Sequence, residues 1–93
     1  MNQAGAFLLY IAEMKAKLKY ADAFGVTLRA YRLAKELTQE QLSERVDVVR
    51  SYICTLECGK KQPSMEMMLR LAAALGVRPG ELVDAMVARM TQR

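Results

Sequence analysis

The stretch from Thr38 to Gly59 constrains this chain more than any other, because it leaves room for two short helices and little else. Thr38 followed three residues later by Gln41 forms a capping box, in which each side chain satisfies a backbone N–H that a helix start leaves open. Gly59 stands where a left-handed residue ends a helix. Between these marks lie the apolar residues Leu42, Val46, Val48, Ile53 and Leu56. Helices this short are marginal alone, so both must bury their apolar sides against each other and against something larger. The spacing suits helices over Gln39 to Val46 and Arg50 to Cys58, joined at a steep angle by a tight turn around Asp47 and Val48.

The remaining punctuation extends the pattern. Phe7, Ile11, Met14 and Leu18 recur at helical spacing within Ala6 to Tyr20, with Lys15, Lys17 and Lys19 mostly on the other sides. Asp22 is placed to cap a second helix, whose inner face is lined by Phe24, Leu28, Tyr31 and the alkyl stem of Lys35. Beyond Gly59, "KKQPS" reads as a loop. Ser64 caps a helix from Met65 to Leu75, Gly76 ends it, and Pro79 suits the first turn of a last helix through Met90. The reading is all-α, with six helices in a 93-residue chain that has room for a single core. Residues 1–21 form an N-terminal helical extension, 22–78 the core, and 79–93 a C-terminal helix.

On a helical wheel at about 100° per residue, Val49, Ile53 and Leu56 fall on one side of the second short helix. Arg50, Ser51, Cys54, Thr55 and Cys58 fall on the other. An aliphatic inner side and a short, polar outer side led by arginine suit a helix that enters a confined polar space, such as the major groove of duplex DNA. Small Ser43 permits close approach of the preceding helix.

The run "TQEQLSERVDVVRSYICTLECGKKQPSMEMMLRLAAALGV" resembles the helix-turn-helix of the Cro-like phage repressors, the XRE family. The resemblance covers about residues 22 to 83 and includes Gln at the start of the motif's first helix, a Glu-x-Gly close and a Pro-Ser start to the helix beyond. It implies a compact, repressor-like five-helix domain carrying an extra N-terminal helix, and a dimer bound to a palindromic DNA operator. By the same resemblance Gln39 caps its helix over a phosphate, while Arg50, Ser51 and Thr55, with Tyr52 beside them, are DNA-contacting positions of the recognition helix. Lys60 and Lys61 are implied phosphate contacts, and Arg32 with Glu57 an implied buried ion pair. Two positions depart from the pattern: Asp47 stands where relatives have glycine, and Val49 where they have a capping Ser or Thr.

Charge gives the same reading a limit. The net charge is +4, yet residues 22–83 hold nine Lys/Arg against eight Asp/Glu and contribute +1. Nucleic-acid binding therefore requires a polarised surface. With no histidine and two cysteines four residues apart, a four-ligand zinc site is not expected, nor is any other cofactor. The same lack of proton-transfer groups argues against an enzyme. Cys54 and Cys58 read as inert thiols, with a redox switch as the sharper alternative. Met65, Met67 and Met68 read as flexible core filler. The apolar run Ala6 to Ala12 is shorter than a membrane span and lacks a basic flank, so a soluble, cytoplasmic protein with no membrane partner is expected. The N-terminal stripe either packs on its own domain or binds a protein partner, and Leu82, Met86 and Met90 of the C-terminal helix pose the same choice between packing and dimerisation. The rival function is accordingly an antitoxin or interaction module whose main partner is another protein.

Overall fold

In a computed structural model that describes residues 3–91, the chain folds into five helices: α1 (Gln3–Ala34), α2 (Gln39–Arg45), α3 (Arg50–Glu57), α4 (Met65–Leu75) and α5 (Pro79–Thr91). No strand occurs among the described residues. The all-α class and the repressor-like arrangement of short helices are as the sequence suggests. The two helices expected before Thr38 are continuous, however, and α1 runs through Asp22 without a break. Ala21 and Ala23 flank Asp22 and no proline interrupts the segment, so the chain has a strong helix former on each side of the proposed cap and no reason to stop. The Asp22 side chain lies beside Gly59 instead, in the turn that follows α3.

The later boundaries follow their local chemistry. Thr38 accepts from the backbone N–H of Gln41, and the Gln41 side chain accepts from the Thr38 N–H, which completes the capping box. Ser64 accepts from the Met67 N–H at the start of α4, and Gly76 ends that helix in the left-handed conformation. Gly59 adopts φ 73°, where a Cβ would be strained, and lets the Gly59 and Lys60 N–H groups turn back to the carbonyls of Leu56 and Thr55. Helix α3 ends at Glu57, with Cys58 as its C-cap.

The core gathers Phe24 and Leu28 of α1, Leu37 of the following turn, Leu42 and Val46, Ile53 and Leu56 of α3, Met67, Leu71, Ala72 and Leu75 of α4, and Leu82 of α5. Each large aliphatic side chain so buried contributes about 1.5–3 kcal/mol. Met67 is core filler as expected, whereas Met65 is exposed and Met68 packs at the margin. Helix α5 lies along α1 through Leu82 and Met86, and the Tyr31 hydroxyl donates to Glu81 across the same contact at 3.1 Å.

Among the described residues, Ala21 is the only buried apolar side chain that precedes Phe24. At about 1.5 Å per residue, α1 is about 48 Å long, which accounts for the 50 Å long axis of a molecule only 22 Å across in the other directions. Phe7, Leu8 and Leu9 are exposed on its N-terminal part, at 63, 67 and 59%. Phe7 is thus not packed on its own domain. The side chains of Met14, Leu18, Lys15, Lys17 and Lys19, on which the expected stripe also drew, lie outside the described residues. Among the described residues no helix is long and apolar enough to cross a membrane.

Candidate nucleic-acid interface

Helices α2 and α3 are held as one unit by a four-residue turn. The Val46 N–H donates to the Leu42 carbonyl and the Val48 N–H to the Ser43 carbonyl, so the end of α2 is closed before the chain redirects. Asp47 takes φ 57° and supplies the left-handed step for which the family pattern has glycine. A short polar side chain tolerates this geometry better than most. Buried Ser43 sits at the tight approach and donates its hydroxyl to the Glu40 carbonyl. Two arginines finish the joint: Arg70 of α4 donates to the Val46 carbonyl, and Arg45 of α2 donates to the Ala74 carbonyl. Both join α2 to α4, and the Arg70 bond occupies an acceptor at the helix end.

One expectation about the turn fails. The helical wheel puts Val49 with Ile53 and Leu56 on the inner side, yet it is 69% exposed. It is the N-cap of α3, with extended backbone at ψ 150° and no side-chain cap, so the angular step of a helix does not apply to it. Val48, one residue earlier, packs against the core in its place.

The inner side of α3 is fixed to α1 by two features. Ile53 and Leu56 are fully buried. Beside them Gly25 brings the α1 backbone so close that a Cβ there would stand 2.5 Å from the Leu56 carbonyl oxygen and 2.7 Å from that of Glu57. The second feature is the Arg32–Glu57 pair, bidentate at 2.6 and 3.0 Å. Arg32 is only 7% exposed, and its remaining Nη1 donates to the Leu37 carbonyl at 2.8 Å. The hydrogen bond to Glu57 raises the Arg32 pKa against the opposing effect of burial, so the guanidinium is charged at any working pH. Gln39 joins this network, its side-chain amide donating to Glu57 at 3.1 Å.

The outer side of α3 carries the remaining candidate residues. Arg50 and Ser51 are exposed at its first turn, and Thr55 is half-buried one turn later with its hydroxyl donated to the Ser51 carbonyl at 2.8 Å. Tyr52 is half-buried and turned toward the loop, where the Lys61 ammonium lies 5.6 Å from its ring centre. Lys60 and Lys61 are both exposed just beyond the helix. Arg50, Ser51 and Thr55 thus share the outer edge of α3, and the two lysines follow at its end, with the Lys60 N–H bonded to the Thr55 carbonyl and Lys61 over Tyr52. Gln39 lies at the start of α2 with one amide N–H committed to Glu57. Gly25, Arg45 and Arg70 belong to the framework of this edge and carry no motif that singles them out.

Comparison with known proteins gives this arrangement relatives. A family model described as a helix-turn-helix domain matches residues 23–86. The control protein C.BamHI of Bacillus amyloliquefaciens is 37% identical over 62 residues, which span 66% of this chain and 76% of that protein. Among solved structures, the restriction-modification controller protein C.AhdI of Aeromonas hydrophila superposes with a TM-score of 0.65 at 40% identity, over 67% of this chain and 94% of that one. The clp gene regulator ClgR of Corynebacterium glutamicum superposes with a TM-score of 0.75 at 28% identity, over 80% of this chain and 96% of that one.

Proposed function

The chain belongs to the Cro-like helix-turn-helix family of transcription regulators, and from that premise we propose that it is a small repressor or controller which binds a palindromic operator as a homodimer. The observation that carries this reading is the two-sidedness of α3: its inner side is fixed by Gly25, Ile53, Leu56 and Glu57, and its outer side presents Arg50 and Ser51 to solvent with Thr55 half-buried beside them. A helix so held can enter a major groove without rearrangement. Arg50 is assigned to a guanine edge, where a guanidinium donates to O6 and N7 together. Ser51, Thr55 and Tyr52 flank it, and the second amide N–H of Gln39 is directed to a phosphate. Lys60 and Lys61 supply charge to the backbone and little sequence preference. The similarity to a control protein and to a restriction-modification controller protein favours a controller role, and two free thiols favour the reducing cytoplasm as its place.

One α3 reads only a few base pairs, so specificity calls for two half-sites. The outer side of α5, where Val87 is exposed, is assigned to the contact between copies. Footprinting the purified protein on DNA upstream of its coding region tests the proposal, with symmetric protection of two half-sites about 34 Å apart as the expected result. Changing Lys60 and Lys61 together to alanine should then flatten the salt dependence of binding by about two units of log–log slope, while the preferred sequence stays the same. An unchanged slope would remove both lysines from the interface.

A second reading is favoured by the exposed Phe7, Leu8 and Leu9: the N-terminal part of α1 carries a protein partner, as in an antitoxin. Co-purification of a partner with the full chain, and its loss on deleting residues 1–20, would support that reading beside the first.

A further inference from the structure

Cys54 and Cys58 are both free, and their sulfurs are 4.0 Å apart on the solvent side of α3. At about 100° per residue, Cys54 and Cys58 fall between Arg50 and Ser51 on the helical wheel, with Thr55 just beyond. The pair therefore occupies the middle of the surface assigned to DNA. Neither the fold nor the proposed base contacts make use of it.

Three chemistries are open to two neighbouring thiols. A disulfide is poorly served, because side chains four apart on a helix project in parallel and closing the bond would unwind the last turn. Peroxide sensing by a cysteine with a resolving neighbour ends in that same disulfide and meets the same obstacle. Coordination of a metal ion engages both sulfurs without a bond between them, and the ion displaces the proton from each. Two thiolates on one ion with bonds of about 2.3 Å lie about 3.8 Å apart at a tetrahedral angle and about 4.6 Å apart when collinear, a range that includes the 4.0 Å already present.

The donor set selects the ion. Among the described residues no third cysteine, histidine or carboxylate joins the pair, and Glu57 is committed to Arg32. Zinc, which wants four ligands, would be held weakly. A soft ion content with two sulfurs is what remains, and thiolates favour monovalent copper in this way.

We propose that Cys54 and Cys58 form a two-thiolate site for a soft metal ion of the Cu(I) class, and that its occupation opposes DNA binding. On binding, each thiol loses its proton to solvent and the ion gains two sulfur bonds, with no electron transferred. Two thiolates and one Cu(I) carry a net charge of −1 where two neutral thiols stood. That charge, with the bulk of the ion, faces a groove lined by phosphates. The second half of the proposal rests on the DNA-binding reading above; the first half does not.

The test uses the full chain under anaerobic, reducing conditions, with Cu(I) delivered from a competing chelator. The wild-type protein should take up one equivalent per chain and show a thiolate-to-copper charge-transfer absorption. Cys54→Ser and Cys58→Ser should each lose the band and bind Cu(I) at least about tenfold more weakly, while Zn2+ should bind poorly to all three. One equivalent of Cu(I) should lower the wild-type protein's affinity for its footprinted DNA about tenfold and leave each serine variant's affinity at its own metal-free value. Absence of the band in the wild type, or its persistence in the serine variants, overturns the site. A formed band with unchanged DNA affinity overturns the regulatory half. A formed band in a protein that protects no DNA supports the site and refutes the DNA-binding reading instead.

Discussion

Replacing Glu57 by alanine is expected to lower the free energy of unfolding by about 3–5 kcal/mol, measured by urea denaturation of the intact chain. The carboxylate receives two bonds from Arg32 and one from Gln39. Its removal strands a guanidinium that is 7% exposed and that cannot shed its charge. Against a total stability of about 5–15 kcal/mol, such a loss leaves the fold marginal. The cost arises from the orphaned charge more than from the lost attraction. Removing both charges together, as Arg32→Met with Glu57→Leu, should therefore restore much of the stability. If Glu57→Ala costs less than about 1 kcal/mol, the pair does not hold α3 to α1.

Gly25→Ala is the second large effect. Away from any contact the change would favour a helix by about 1 kcal/mol. Here the new methyl would meet the carbonyl oxygens of Leu56 and Glu57, backbone atoms that cannot swing aside as a flexible side chain would. Overpacking of this kind costs about 1–3 kcal/mol, and contact with fixed atoms places this site at the upper end, for a net loss of about 2 kcal/mol. Gly80→Ala supplies the contrast, because nothing lies within 4 Å of a Cβ at that position of α5. It should be neutral or stabilising. Equal stability of the two variants would mean that α1 and α3 do not touch at Gly25.

Much of this architecture could be read from the chain because its punctuation is local. Thr38 with Gln41, Gly59, Ser64 and Gly76 each act within a few residues, and each does in the fold what its chemistry suggests. The Arg32–Glu57 pair became visible only through family resemblance, since 25 residues separate its members. Other features remained hidden for physical reasons. The junction at Asp22 looked like a helix start because a good cap residue was present, although nothing upstream required the helix to end. Val49 looked buried because a helical wheel assumes helical backbone one residue too early. Gly25 carried no signal of its own, because its role exists only when α3 crosses α1. Arg45 and Arg70 are alike in this respect, since the carbonyls they bond belong to other helices.

The central claim is that the outer side of α3 reads base pairs, with Arg50 as its principal contact. The most direct test measures binding of wild type and Arg50→Ala to the footprinted site and to a set of duplexes in which each base pair is changed in turn. The account predicts that Arg50→Ala folds normally, loses about 1–3 kcal/mol of binding, and no longer distinguishes the bases at one G·C pair in each half-site. Binding of unchanged strength and unchanged preference at every position would contradict it.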